Sequence, residues 1–317
     1  MQGQFKFFKK LPDNLKIEIT QSLSLSTLVK FALTAKNHLV LFKPIIDASR
    51  LLQSLVRGEH DEVHLMLYDN INLIFQKGKV TDCSGRTFDN ISAFEYTLWA
   101  LDKHMWAMML NCIPKYEVGK NICAILLTQY DQVNTVGITY RLNGKIITEK
   151  HFDYENTIIK ELQTQLDLLD IPGKKNWDII NKQWVEGVGG AQKLLPMHVV
   201  NEYGSRYPFY PLPDFIRHPA SIHFGNSKTR EENWFGPDSK IGLELAVYKG
   251  RWDKASWSKS TCNSIVKHDL AALRALFKLR IQDLINLKSK LKKQMDICHD
   301  SQFPSFLYPD YIKISKP

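Results

Sequence analysis

Residues 11–23, LPDNLKIEITQSL, put a Leu-Pro pair in front of an apolar stripe that the segment has no means of covering. Pro12 suits a first helical turn, where its missing N–H is no loss and its fixed φ is already helical. Leu11, Leu15, Ile19 and Leu23 then recur every fourth residue, on one side of the helix. Ser24 or Ser26 can cap a second helix carrying Leu28, Val29, Phe31, Ala32 and Ala35. Leu39 to Phe42 make a third, which Pro44 is expected to stop. Units below about 40 residues rarely enclose a core without outside help. Part of this apolar surface must therefore meet a partner or the next part of the chain. The bland reading is that residues 11–43 merely cap the next helices of the chain.

A chain of 317 residues points to two or three domains. With 44% apolar and 24% charged residues it reads as globular rather than disordered. No apolar run approaches membrane-spanning length, and the first residues lack the apolar stretch of a secretory leader. Five cysteines without C-x-x-C spacing disfavour both a disulfide framework and a zinc module, and fit a reducing compartment. The net charge of +9 gathers in residues 274–293, where Arg274, Lys278, Arg280, Lys288, Lys290, Lys292 and Lys293 face Asp283 alone. This is first a solvated helix face. The sharper alternative is a patch at Arg274–Lys293 that meets an acidic partner protein, an anionic membrane surface or nucleic acid.

Beyond the first helices the pattern is mainly α. Residues 47–70 read as a tight helical hairpin turning at Gly58, with Asp61 and Glu62 at the second N-terminus. Residues 82–113 partly repeat it: turn chemistry at 82–87, then a helix from Phe94 to Leu110 broken near Asp102. A further helix covers 121–130. Residues 136–152 read as a β-hairpin about Asn143-Gly144. Helices over 155–170, 176–186 and 262–295 frame a Pro- and aromatic-rich passage at 207–219, expected to pack on the body. The expected division is 1–46, 47–130 and a mostly helical 131–317.

No stretch assembles a catalytic set, a cofactor site or a metal site. GVGGAQ (187–192) lacks the preceding strand and following Lys-Ser of a phosphate loop, so Gly187 reads as a helix C-cap and Gly189-Gly190 as a turn. In HMWAMML (104–110) the methionines and Trp106 read as core. His198 and Glu202, four apart on a helix, lack a second histidine. Trp252 and Trp257 among basic residues read as burial against the last helix rather than as base-stacking groups. A helix-turn-helix nucleic-acid reading is disfavoured, because the N-terminal helices carry only Lys30, Lys36 and Lys43 at the places that would meet phosphate.

Leu11-Pro12, Leu15, Ile19 and Leu23, followed by Leu28, Phe31-Ala32, Thr34-Ala35-Lys36 and Leu39, resemble the F-box, a trihelical module. LLQSLVRGEHDEVHLML (51–67) with the turn at Gly85-Arg86-Thr87 resembles degenerate ankyrin-type repeats. With SGRTFDNISAFEYTLWALDKHMWAMML and VGGAQKLLPMHVVNEY, the whole is similar to F-box/ankyrin-like effectors of Legionella-type intracellular bacteria. The resemblance implies a substrate receptor without catalysis of its own. Leu11, Pro12, Leu15, Ile19, Leu23, Leu28 and Phe31 would seat on a host Skp-type adaptor and its cullin, and the rest would hold an unidentified host protein. It implies secretion by a bacterium into the host cytoplasm. The alternative is a toxin-like enzyme within 131–317, with the F-box as a localising element.

Overall fold

The computed structural model describes residues 8, 10–20, 23–219, 224–226, 232–233, 246–251 and 255–300; for 224–226, 232–233, 257 and 298–300 only the backbone is described. The chain is mainly helical with two small sheets, as its pattern implies. Helices α1 (Asp13–Thr20) and α2 (Leu25–Ala32) come first, with Ser24 capping α2 by accepting from Thr27 N. The third helix, α3, runs unbroken from Lys36 to Val56, with Pro44 inside it. The expected stop at Pro44 therefore does not occur. Pro44 leaves only the Val40 carbonyl without its i+4 donor, and both residues are exposed, so water can satisfy that oxygen.

Two cores share α3. Phe42 and Ile46 join Leu28 and Ala32 in a small N-terminal core. Ala48 is buried too, and Leu51, Leu52, Leu55 and Val56 enter the main core, which continues to Leu291. The expected boundary at 46/47 thus falls within one helix. That at 130/131 falls within α7 (Glu117–Thr135), and the segments on either side of it are packed into the same core.

Gly58, at φ +73°, reverses the chain into α4 (His60–Asp69), giving the expected hairpin. Its second copy departs from expectation. Strands β1 (Lys77–Thr81) and β2 (Thr87–Ser92) pair antiparallel across the turn at 82–86, where a second helix would begin in a repeat. Asp82 accepts from the backbone of Ser84 and Arg86 there. Ser92 then starts α5 (Ala93–Ala100) through a reciprocal capping box with Glu95. Leu101, at φ +60°, breaks the chain before α6 (Lys103–Asn111), the break expected near Asp102. After α7, β3 (Ile138–Leu142) and β4 (Lys145–Glu149) close on Asn143 and Gly144, both at positive φ as this hairpin turn requires. The sheet order is β1-β2-β3-β4.

A kinked turn at Glu155–Ile159, with Thr157 out of helical conformation at φ −110° and ψ −106°, leads into α8 (Lys160–Asp170). Helix α9 (Trp177–Lys182) then runs through a wide helical turn, Gln183–Val188, into α10 (Gly189–Gln192). The helix neither caps at Gly187 nor turns at Gly189-Gly190. Glycine at 187 serves close packing instead: a Cβ there would lie 2.7 Å from Glu161 Oε2 on α8 and 2.3 Å from Gln183 Nε2. Helix α11 (Met197–Gly204) comes next, and then the irregular passage, packed on the body through Phe209 and Phe215. A second sheet, ordered β6-β5-β8-β7, comprises β5 (Phe224–Asn226), β6 (Glu232–Asn233), β7 (Ala246–Tyr248) and β8 (Ala255–Ser258). The Gln192 side-chain amide grips β7 like another strand: Nε2 donates to Val247 O at 2.7 Å and Oε1 accepts from Val247 N at 2.8 Å. The long last helix, α12 (Asn263–Asp300), lies along α7 and α8. Trp252 and the side chain of Trp257 lie outside the described residues, as does most of the expected aromatic tail after 295. Among the described residues no helix is long and apolar enough to cross a membrane.

Candidate functional site

The apolar stripe of α1 is left on the outside. Ile17 and Thr20 turn towards the small core, whereas Leu15 is 40% and Ile19 54% exposed, and Leu23 is exposed as well. Leu11 is half-buried and Pro12 exposed. The structure separates the expected docking residues here. Leu28, at 5% exposure, is a core residue, so it is not available to a partner, and Phe31 is half-buried. Phe31 stacks on His38 at 5.0 Å and meets Phe8 edge-on at 5.1 Å. His38, near where the F-box pattern often carries Trp, is buried and hydrogen-bonds Thr34. The division follows from helical period: position 28 shares its face with 32, whose neighbours are Phe42 and Ile46. Three further exposed apolar residues stand on the same unit, Leu33, Leu39 and Val40, the last at 76%. Leu33 and Val40 are hidden in the sequence, since apolar letters inside a short helix read first as core.

A second constellation lies in the main core and draws on segments far apart in sequence. Asp102 caps α6, accepting from Met105 N at 3.0 Å. His198 of α11 donates from Nε2 to Ala100 O at 2.9 Å, with Tyr154 Oη at 3.4 Å. One turn later Glu202 approaches Arg280 of α12, Oε1 to Nη2 3.8 Å. Arg280 is 2% exposed and also donates to Phe215 O (2.9 Å), His104 Nε2 (3.1 Å) and Asp283 (3.0 Å). The His60 and His218 rings lie 3.9 Å apart, and those of His104 and His218 5.4 Å. Nearby, Lys249 donates to Glu202 O, Ser205 O and Ser205 Oγ, while Asp269 accepts from the Lys249 and Gly250 amides.

Burial governs the charges of this cluster. It pushes Glu202 up to about 7, against the pull of Arg280 and Lys249. Asp269 is likewise pushed up to about 7, against the amides it binds. Burial with the Arg280 charge holds His104 down at about 3, and burial brings His198 to about 4 despite Asp102. Asp102 goes the other way: burial opposes its charge, but His198 and His60 hold it below its ordinary value. In the sequence Arg280 reads as one cation of a solvated run. Its place on the apolar row Leu276, Arg280, Leu284, Leu287 is the available signal of burial.

The other members of that run behave as surface groups. Arg274 donates to Gln163, Lys288 pairs with Asp131, and Lys290, Lys292 and Lys293 are exposed. A cleft of about 570 Å3 lies elsewhere, between Trp177, Asn181, Tyr248, Thr261, Cys262 and Ile265; among the described residues no charged side chain lines it. Among the described residues no group of three histidine, cysteine or acidic side chains is arranged to hold a metal ion.

Residues 157–291 match the family described as the CBUA0006 C-terminal domain. Over 267 residues, 75% of this chain and 73% of the relative, the sequence is 37% identical to the uncharacterized protein CBUA0006 of Coxiella burnetii. No solved structure matches. The matched domain holds His198, Glu202, Lys249, Asp269 and Arg280, while Asp102 and His104 come from the region before it.

Proposed function

This chain belongs to the family of the Coxiella burnetii protein CBUA0006, and we propose that it is a substrate receptor whose N-terminal unit docks on the Skp-type adaptor of a host cullin-RING ubiquitin ligase. On this reading it is a bacterial effector working in the host cytoplasm. The body presents a host protein for ubiquitination, and the chain itself performs no chemistry.

One observation supports this above the rest: a trihelical unit with its own small core keeps Leu15, Ile19, Leu39 and Val40 outside. Burying aliphatic side chains contributes ~25 cal/mol per Å2, much of it offset by lost freedom on association. The docking set is Leu11, Pro12, Leu15, Ile19 and Leu23, with Leu39 and Val40 exposed on the same unit and Leu28 inside as support. Because Leu15 and Ile19 contribute little to the fold, Leu15→Asp with Ile19→Asp is expected to leave the melting temperature within about 2 °C. The same change is expected to remove adaptor and cullin from material captured out of host lysate. Leu65→Asp with Tyr68→Asp, at an exposed pair on α4, is the matched control and should retain both. Full capture of adaptor by the α1 variant would refute the assignment.

The buried Glu202, pushed up to about 7 beside Arg280, favours a second reading, a toxin-like enzyme within 131–317. If that reading holds, Glu202→Gln abolishes the effect of the protein on host cells while adaptor capture persists.

A further inference from the structure

Among the described residues the first sheet ends in a strand with nothing beyond it in the sheet order, and the chemistry of that strand is uneven. At the opposite end β1 packs on α3, with Gly78 against Leu52. The β3–β4 pairing starts at Leu142↔Lys145 and continues through Tyr140↔Ile147 to Ile138↔Glu149. Around a two-residue turn the closing pair exchanges both of its hydrogen bonds, and such pairs then alternate along the ladder. The backbone N–H and C=O of Lys145, Ile147 and Glu149 are therefore directed at β3. Those of Ile146 and Thr148 are directed away from the sheet.

The side chains add charge of one sign. Lys145, Ile146, Thr148 and Lys150 are exposed, Ile146 at 73%. The one acid of β4, Glu149, is turned inward, where its Oε1 accepts from Trp99 Nε1 at 2.9 Å and Tyr140 Oη at 3.0 Å. The edge thus offers two outward N–H groups, two outward carbonyls, one apolar side chain and a lysine at either end.

We propose that the edge of β4 binds an extended acidic segment of a partner protein by strand addition. Carboxylates near the ends of the added strand meet Lys145 and Lys150, and an apolar residue between them lies beside Ile146. A second copy of this chain is a poor occupant. Its β4 carries the same two lysines and no outward carboxylate, so it brings no opposite charge to the pairing. Lysines on an edge also discourage indiscriminate pairing, which makes the edge selective for acid rather than sticky. Strand addition at residues 145–150 does not depend on whether the N-terminal unit docks on an adaptor.

The test uses the full chain and hydrogen exchange read at the Ile146 and Thr148 amides. The probes are a synthetic peptide of about ten residues, Thr-Thr-Glu-Val-Thr-Thr-Val-Glu-Thr-Thr, a strand-length segment whose two glutamates point to opposite faces as Lys145 and Lys150 do, and its counterpart with lysine for glutamate. Saturation with the glutamate peptide should slow exchange at both amides about tenfold or more, as expected of newly hydrogen-bonded amides; the lysine peptide should not. Lys145→Glu with Lys150→Glu leaves the backbone intact and should reverse the preference. Thr148→Pro, checked for an unchanged melting temperature, should abolish binding; should it unfold, the charge reversal decides. No slowing, equal slowing by both peptides, or slowing confined to other amides overturns the proposal.

Discussion

Replacing Arg280 with methionine is expected to lower the unfolding free energy by about 3–5 kcal/mol, the usual loss when one partner of a buried ion pair is removed. The guanidinium is almost wholly enclosed and holds together groups from four segments: Glu202 of α11, His104 of α6, the Phe215 carbonyl and Asp283 on its own helix. Methionine fills much of the same volume, so a cavity contributes little. What remains is a carboxylate, a carbonyl and an imidazole stripped of their donor away from water. Urea unfolding measures the loss directly. Lys288→Met, which breaks the half-exposed pair with Asp131, should cost less than ~1 kcal/mol in the same experiment. Equal effects at the two positions would mean that the buried network is not what holds α11 and α12 together.

Stability against pH is expected to decline gently from about 6.5 to 4.5 and to go on falling below about 4, because two opposed sets of groups share the core. His104 and His198 titrate in the folded chain at about 3 and about 4, below the ordinary 6.5. As pH drops below 6.5 the unfolded chain takes up those protons first, so this set removes stability. Glu202 and Asp269 titrate at about 7 in the folded chain, above their ordinary 4.5 and 3.8. Their contribution is fully present below the ordinary values and is lost as pH rises to about 7. Through the shared window these two sets offset one another, while His60 and His218, also lowered by burial, add to the loss on acidification. Below about 4 His198 is protonated in both states and stops contributing, while His104, down to about 3, and Asp102, whose lowered value adds to the acid loss, act unopposed. Glu202→Gln deletes one proton from the second set. Its unfolding free energy should therefore fall on acidification by about 1.4 kcal/mol per pH unit relative to the parent chain. Chemical unfolding at pH 5, 6 and 7 checks this; parallel profiles for the two proteins would exclude it.

The features legible in the sequence are those set within a few residues. The four-residue stripe of α1, the Gly58 reversal, the break near Asp102 and the Asn143-Gly144 hairpin need only local backbone preference and period. The illegible ones depend on what a segment meets. Pro44 lies within a helix because the carbonyl it deprives faces water. The Gly187–Gly190 stretch stays helical, with the side-chain ends of Gln183 and Glu161 occupying the space beside Gly187. KGKVT and TFDNIS are strands only because each completes the other's ladder, and neither alternates strongly enough to announce itself. The cluster, buried at Asp102, His198, Glu202 and Arg280 and open to solvent at His218, joins these with His60 and His104 across four helices and a loop. Local spacing carries no record of that meeting, apart from the apolar row in which Arg280 stands. In the N-terminal unit the stripe is readable, yet which of its residues are spare is not. Leu28 and Leu15 are the same amino acid, and only the position of Phe42 and Ile46 tells them apart.

Helix α3 belongs to both cores, and this makes it a strut rather than a tether. Its 21 residues rise about 1.5 Å each and turn about 100° each, so the N-terminal face is carried at a set bearing and reach from the body. A single alanine inserted between Asp47 and Ala48 would leave both cores their own residues while swinging one about 100° around the other. Any assembly that seats on α1 and must deliver something to a cargo on the body then inherits its geometry from the pitch of one helix.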